Sequence, residues 1–240
     1  MGHRSRADID VSAPTSKRQP WEGGAACPAA MDADLARRAA QADCTILITG
    51  ETGVGKGNLA KWLHMTSRRS DGPFVPVNCA AIPESIIDSQ LFGHARGAFS
   101  GATTDHPGLI RAAEYGTLLL DEVSELPPSA QSRLLRLLQE REVQPVGYPG
   151  PVTVDVRVVA ATNIDLEEAV AERRFREDLL FRLDVIRLHV KPLRQRGEEL
   201  PILLEKFNCE FARLYNQPEL EFDDEASEVL RRYPWPGNVR

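Results

Sequence analysis

The stretch TILITGETGVGKGNLAKW, residues 45 to 62, limits what this chain can fold into more than any other. An apolar run, Thr45 to Thr49, leads into Gly50, Glu51, Thr52, Gly53, Val54, Gly55 and Lys56, and then into residues of helical character. Glycines at 50, 53 and 55 let the backbone fold so that its N–H groups converge at a helix N-terminus. Phosphate oxygens suit that point, and Lys56 adds a positive charge beside it. A short apolar strand feeding such a loop and helix predicts a sheet covered by helices. Gly57 stands where the pattern asks for a Ser or Thr hydroxyl on magnesium, and it costs about 1 kcal/mol of helix propensity against alanine.

The rest of the chain supplies the partners that such a loop needs. Short β-branched runs at 45–49, 74–78, 117–121, 156–161 and 185–190 alternate with helical stretches such as 128–141. That alternation predicts a parallel sheet flanked by helices. In GTLLLDEVSELP the apolar strand ends in Asp121 and Glu122, which places both carboxylates at the ligand edge of the sheet. Asp121 suits Mg²⁺ there, directly or through water, and Glu122 suits the polarising of a water that attacks a γ-phosphate. Thr162 and Asn163 close another strand at the same edge, able to bond the γ-phosphate or that water. Asn78 closes the second strand and could pair with Glu122, and each of these polar residues could instead simply cap a loop.

At 240 residues with 42% apolar content, the chain suits one large domain or a domain with a small satellite. Residues 1–24 read as a loose leader, 25–191 as the α/β nucleotide-binding part, and 192–240, after the Pro192-Leu193 break, as a helical lid incomplete at its C-terminus. Helices are expected there over 198–214 and 223–232. A net charge of −6 gives no basic field, so this segment is not expected to hold nucleic acid by itself. Cys27, Cys44, Cys79 and Cys209 form no C-x-x-C pair and read as buried thiols in a reducing compartment, by default the cytoplasm. No apolar run approaches the length of a membrane span, and Arg6 breaks the myristoylation pattern that Met1-Gly2 opens.

These motifs, in this order, resemble the AAA+ domain of the bacterial enhancer-binding proteins that activate sigma-54 RNA polymerase. The resemblance runs from about residue 25 to the last. It rests on LFGHARGAFSGA (91–102), PFVPVNCAAIPES, GTLLLDEVSELP, FREDLLFRLDV, PLRQRGEEL and the terminal WPGNVR. It implies an ATP- and Mg²⁺-dependent machine, a ring of six subunits, and sigma-54 holoenzyme as the partner, with DNA reached only through other domains or a partner. Such a domain lacking its receiver and helix-turn-helix neighbours is expected to be excised from a longer protein.

By the same resemblance, Gly97, Ala98, Phe99, Ser100, Gly101 and Ala102 form the loop that touches sigma-54, with Ser100 where the family usually has threonine. The long connection between the second strand and the acidic strand independently suggests a working loop, and Phe99 is an aromatic that a tip would not normally expose. His106 and Arg111 depart from the family pattern, with an effect expected on loop coupling rather than chemistry. Arg176 and Arg182 match the family's arginine fingers, whereas in isolation Arg173, Arg174, Arg176 and Arg182 also read as an ion-pair face with Glu177 and Asp178. Asn238 reads as a helix N-cap, and Arg240 matches the nucleotide-sensing arginine of the lid. Two other functions stay open: a nucleotide-controlled interaction module with little hydrolysis, and an AAA+ regulator that does not act on sigma-54, whose expected sign, a lost GAFTGA-like loop, is absent.

Overall fold

The computed structural model describes residues 33–240. The expected leader, the start of the core at 25, Cys27 and the Met1-Gly2 terminus lie outside the described residues. Helix α1 (Ala33–Gln41) precedes β1 (Ile46–Thr49), α2 (Lys56–Met65) and β2 (Phe74–Asn78). After α3 (Glu84–Phe92) and α4 (Leu109–Ala112) come β3 (Thr117–Asp121) and α5 (Pro128–Glu140). A small antiparallel pair, β4 (Glu142–Val143) and β5 (Val152–Thr153), leads to β6 (Arg157–Thr162), α6 (Leu166–Ala171), α7 (Glu177–Leu183) and β7 (Ile186–His189). The lid carries α8 (Leu200–Tyr215) and α9 (Asp224–Arg232).

Side chains on successive strand residues point to opposite faces, and this chain fills both. Leu47, Leu118, Leu120, Val158 and Ala160 pack on one side with α3, α5 and α7 residues; Ile46, Ile48, Leu119, Val159 and Ala161 pack on the other with α1 and α2. The strands therefore pair in parallel in the order β2-β3-β6-β1-β7. All five runs expected from sequence are present, each within a residue of its expected bounds. Register aligns Asn78 with Asp121 and Thr49 with Thr162 at the carboxyl edge. The β4–β5 pair was not expected, because two-residue strands carry no periodicity.

Arg157 opens the central strand β6 and is only 3% exposed. Its guanidinium donates to Ala40 O (3.0 Å), Ala39 O (2.6 Å) and Cys44 O (3.5 Å), so a sheet residue ties down carbonyls in the last turn of α1 and just after it, Ala39 O accepting from Ala42 N as well. Burial pushes its pKa below the usual arginine value. Arg157→Ala takes the side-chain donor from Ala40 O and Cys44 O and leaves a void, so it is expected to cost about 3 kcal/mol, a melting-temperature loss of about 6–12 °C by calorimetry.

The cysteine expectation holds in part. Cys79 is buried, its thiol pushed up to about 12 by desolvation, but Cys44 and Cys209 are only half-buried, because they lie just before β1 and on the open lid helix. On α8 and α9, Ile202, Leu214, Tyr215 and Val229 are exposed, with nothing covering them among the described residues. No helix among those residues is long and apolar enough to cross a membrane.

Candidate functional site

The phosphate-type loop leaves β1 at the carboxyl edge and is anchored by Val54, which is 3% exposed and packs in the α1–α2 core. Gly55, at φ 103°, turns the chain into α2, and no side chain caps that helix start. A helix N-terminus left open in this way can take an anion as its cap. Lys56 opens α2 and is 6% exposed; its Nζ donates to Gly50 O (3.0 Å) and Glu51 O (3.3 Å) and lies 3.8 Å from Glu122. The ammonium thus rests on loop carbonyls and an acid, all of which a phosphate can replace. Gly57 sits inside α2 with no atom within 4 Å of an added Cβ. Gly57→Ala is therefore expected to stabilise the chain by up to about 1 kcal/mol, a rise of roughly 2–4 °C in a thermal melt.

Asp121 ends β3, and Glu122 follows at φ 52°, a left-handed conformation that non-glycine residues seldom adopt. This turn directs Glu122 toward Lys56 and lets its Oε2 accept from Asn163 N (3.3 Å). Asn163 Nδ2 in turn donates to Thr52 Oγ1 (2.9 Å), so the sheet edge and the loop are joined across 111 residues. Among the described residues, no three acidic, histidine or cysteine side chains cluster as a metal site. Mg²⁺ fits this edge through Asp121 together with phosphate oxygens and water, as its preference for retained waters allows.

Of the two readings open for the strand-end polar residues, loop capping is the one seen at Thr162 and Asn78. Thr162 is fully buried, its hydroxyl spent on Ile164 N (3.2 Å), Ile164 O (3.4 Å) and Ser124 Oγ (3.5 Å), so of the pair only Asn163 reaches the loop. Asn78 accepts from Ala80 N (3.0 Å) and caps the following turn rather than pairing with Glu122. Both are strand-end polar groups that satisfied the nearest backbone first.

The lid closes on the loop through contacts that sequence reasoning missed. Arg194 forms a bidentate pair with Glu51 (2.8 and 2.5 Å), and Arg196 donates to Val54 O (2.8 Å). Asn238 is not an N-cap: at φ 55° and 4% exposure it accepts from Leu193 N (2.8 Å) and donates to Thr52 O (3.0 Å) and Glu51 (3.2 Å). The two arginines in PLRQRGEEL directly after a proline break were the available signal. Arg240 is exposed, its Cβ near Gly53.

Arg194 first, then Asn238, pull the Glu51 carboxyl from 4.5 down to about 2. A depressed carboxyl stabilises the folded state above its unfolded pKa and loses that contribution as pH falls through the folded one. Lid docking, followed by the Val239 amide resonance, is therefore expected to weaken as pH falls from about 4.5 toward about 2.

The arginines around α7 divide. Arg176 is bound to Asp178 (2.9 and 2.7 Å), which raises its pKa further, and Arg174 pairs with Glu172. The ion-pair reading holds for Arg176 with Asp178, whereas Arg174 takes Glu172, an acid outside that reading. Arg182 makes no ion pair among the described residues and lines a cavity with Thr45, Arg141, Arg157 and Val185. That cavity lies at the amino edge of the sheet, a strand's length from the loop.

After α3 ends at Phe92, the segment from Gly93 to His106 forms a compact tongue. His94 and His106 bridge its base with stacked rings (5.5 Å), and Phe99, 44% exposed, lies edge-on against His94 (4.9 Å). Phe99 thus neither stands free nor joins the core. Gly97 donates to Ala102 O (2.8 Å); Gly97, Ser100 and Gly101 are exposed and Ala98 is half-buried. Ala102 is 6% exposed and closes the tongue by accepting from Gly97 N.

A glycine loop with a buried lysine, facing an Asp-Glu pair at the carboxyl edge of a β2-β3-β6-β1-β7 sheet and overlaid by a helical lid, defines a nucleotide-binding module of the AAA+ type. The comparisons narrow the class. The Sigma-54 interaction domain profile matches residues 27–189 and the AAA+ ATPase lid domain profile matches 194–240. The chain belongs to the sigma-54 interaction domain family of NtrC-like activators.

It is 46% identical over 225 residues to the alginate biosynthesis regulator AlgB of Pseudomonas putida, covering 93% of this chain and 50% of that protein. It is 48% identical over 203 residues to the transcriptional regulator NtrC of Rhizobium meliloti, covering 85% and 42%. The chain thus spans half or less of these relatives' length. Crystal structures of NtrX from Brucella abortus, in complex with ATP and with ADP, match at TM-score 0.80 and 35% identity, covering 86% of this chain and 45% of theirs.

Proposed function

We propose that this chain is the ATP-hydrolysing part of a sigma-54 activator, with an α/β core to about residue 191 and a lid from 192, in the cytoplasm. The observation that carries the reading is the meeting of Lys56, Glu122 and Asn163 over the loop. NtrX, 35% identical, was crystallised with ATP and with ADP, which supports nucleotide as the ligand.

In this reading, phosphate replaces the carbonyls on which Lys56 rests, and the loop N–H groups complete the cradle. Bound at Asp121, magnesium would neutralise phosphate charge. Glu122, released from Lys56, takes a proton from the attacking water, while Asn163 holds water and loop in register. Arg182 cannot serve its own loop from the opposite sheet edge, so it serves a neighbour's in a ring, six-membered by family resemblance. Arg176 joins it by exchanging Asp178 for phosphate, an exposed pair that exchanges readily.

The cycle moves the 97–102 tongue, whose Phe99 and Ser100 engage sigma-54 and remodel the closed promoter complex. Steady-state ATP turnover by purified chain tests this reading. Specific activity should climb with protein concentration as subunits meet, whereas tight ATP binding without turnover at any concentration would leave only a nucleotide-controlled binding module.

A further inference from the structure

All five carbonyls from Gly50 to Val54 have a donor. Lys56 holds the first two, and these are the two a phosphate would free. The other three are held by the lid: Thr52 O by Asn238 Nδ2 (3.0 Å), Gly53 O by Val239 N (3.0 Å) and Val54 O by Arg196 (2.8 Å). In a trans peptide the C=O of one residue and the N–H of the next point in opposite directions. Holding Thr52 O and Val54 O against the lid therefore aims the N–H groups of Gly53 and Gly55 away from it, while Val54 N makes a long contact with Glu51 O (3.4 Å). Gly53 itself is glycine because of the tail: a Cβ there would lie 2.2 Å from Gly237 O.

Asn238 is the crosspiece. Its one amide spends the oxygen on Leu193 N and the nitrogen on both Thr52 O and Glu51, while Glu51 is gripped from the other side by Arg194. Asparagine tolerates the left-handed backbone that this position requires. We infer that Asn238 is a positioning residue that shapes the phosphate cradle from the lid, so that nucleotide affinity and docking of the 235–240 tail are one coupled equilibrium. This rests on the nucleotide reading above. Coupling is reciprocal, so nucleotide must tighten the tail as much as the tail tightens nucleotide.

Asn238→Asp keeps size and backbone tolerance but turns a carboxylate oxygen toward Thr52 O and Glu51, replacing donation by repulsion. The test measures ADP affinity by titration calorimetry and Val239 amide exchange on the full chain, with Lys206→Gln, exposed on α8 and outside the clasp, as the control. In the unsubstituted chain, ADP should slow Val239 exchange, a response that a merely structural asparagine would not give. Asn238→Asp should expose Val239 and raise the ADP Kd at least about tenfold, while Lys206→Gln changes neither. Retained Val239 protection in Asn238→Asp, or an ADP Kd indifferent to it, overturns the inference alone. ADP failing to bind the unsubstituted chain overturns the nucleotide reading and this inference with it.

Discussion

Glu122→Gln is expected to lower ATP turnover about 10²- to 10⁴-fold while nucleotide still binds. The substitution keeps the shape of the side chain and its acceptor for Asn163 N, and removes only the charge and the basicity. Loss of the 3.8 Å ion pair leaves Lys56 freer for phosphate, so affinity should hold or improve as kcat falls. That split between kcat and affinity is the signature of a group acting in the chemical step. Equal losses in both would instead make Glu122 a structural partner of Lys56. Steady-state turnover beside ADP titration separates the two.

Arg182→Ala is expected to have the larger effect, about 10³- to 10⁵-fold on turnover, because an arginine at the γ-phosphate offsets charge that develops in the transition state. Its own loop lies at the other edge of the sheet, so ADP affinity of the separated chain should not change. Stability should not change either, since Arg182 makes no ion pair among the described residues and is exposed. A variant that melts early or binds ADP weakly would show that Arg182 shapes its own subunit.

What could be read from sequence follows the range of the forces involved. The five strands were legible because both sheet faces demand apolar residues within each short run, as in Ile46-Leu47-Ile48. The placement of Lys56 at a helix start and of Asp121 and Glu122 at a strand end was legible because phosphate chemistry favours those residue types at those points. Spacing could not say which way a strand-end side chain turns, so facing the site and capping a loop both stayed open for Thr162 and Asn78, and both satisfy their own turns. Asn238 was read by a local capping rule, but its partners are Thr52 and Glu51, more than 180 residues away, and no local pattern records such a contact.

The account's central claim is that one subunit's loop and a neighbour's Arg182 form a single hydrolytic site. Mixing two inactive variants tests it most directly. Lys56→Ala lacks the loop charge but carries Arg182; Arg182→Ala lacks the finger but carries the loop. Mixed in equal amounts at a concentration where the unsubstituted chain turns over, they leave about a quarter of the junctions in a head-to-tail ring complete, and ATP turnover should return toward that fraction. A mixture as inactive as its two components would contradict the claim.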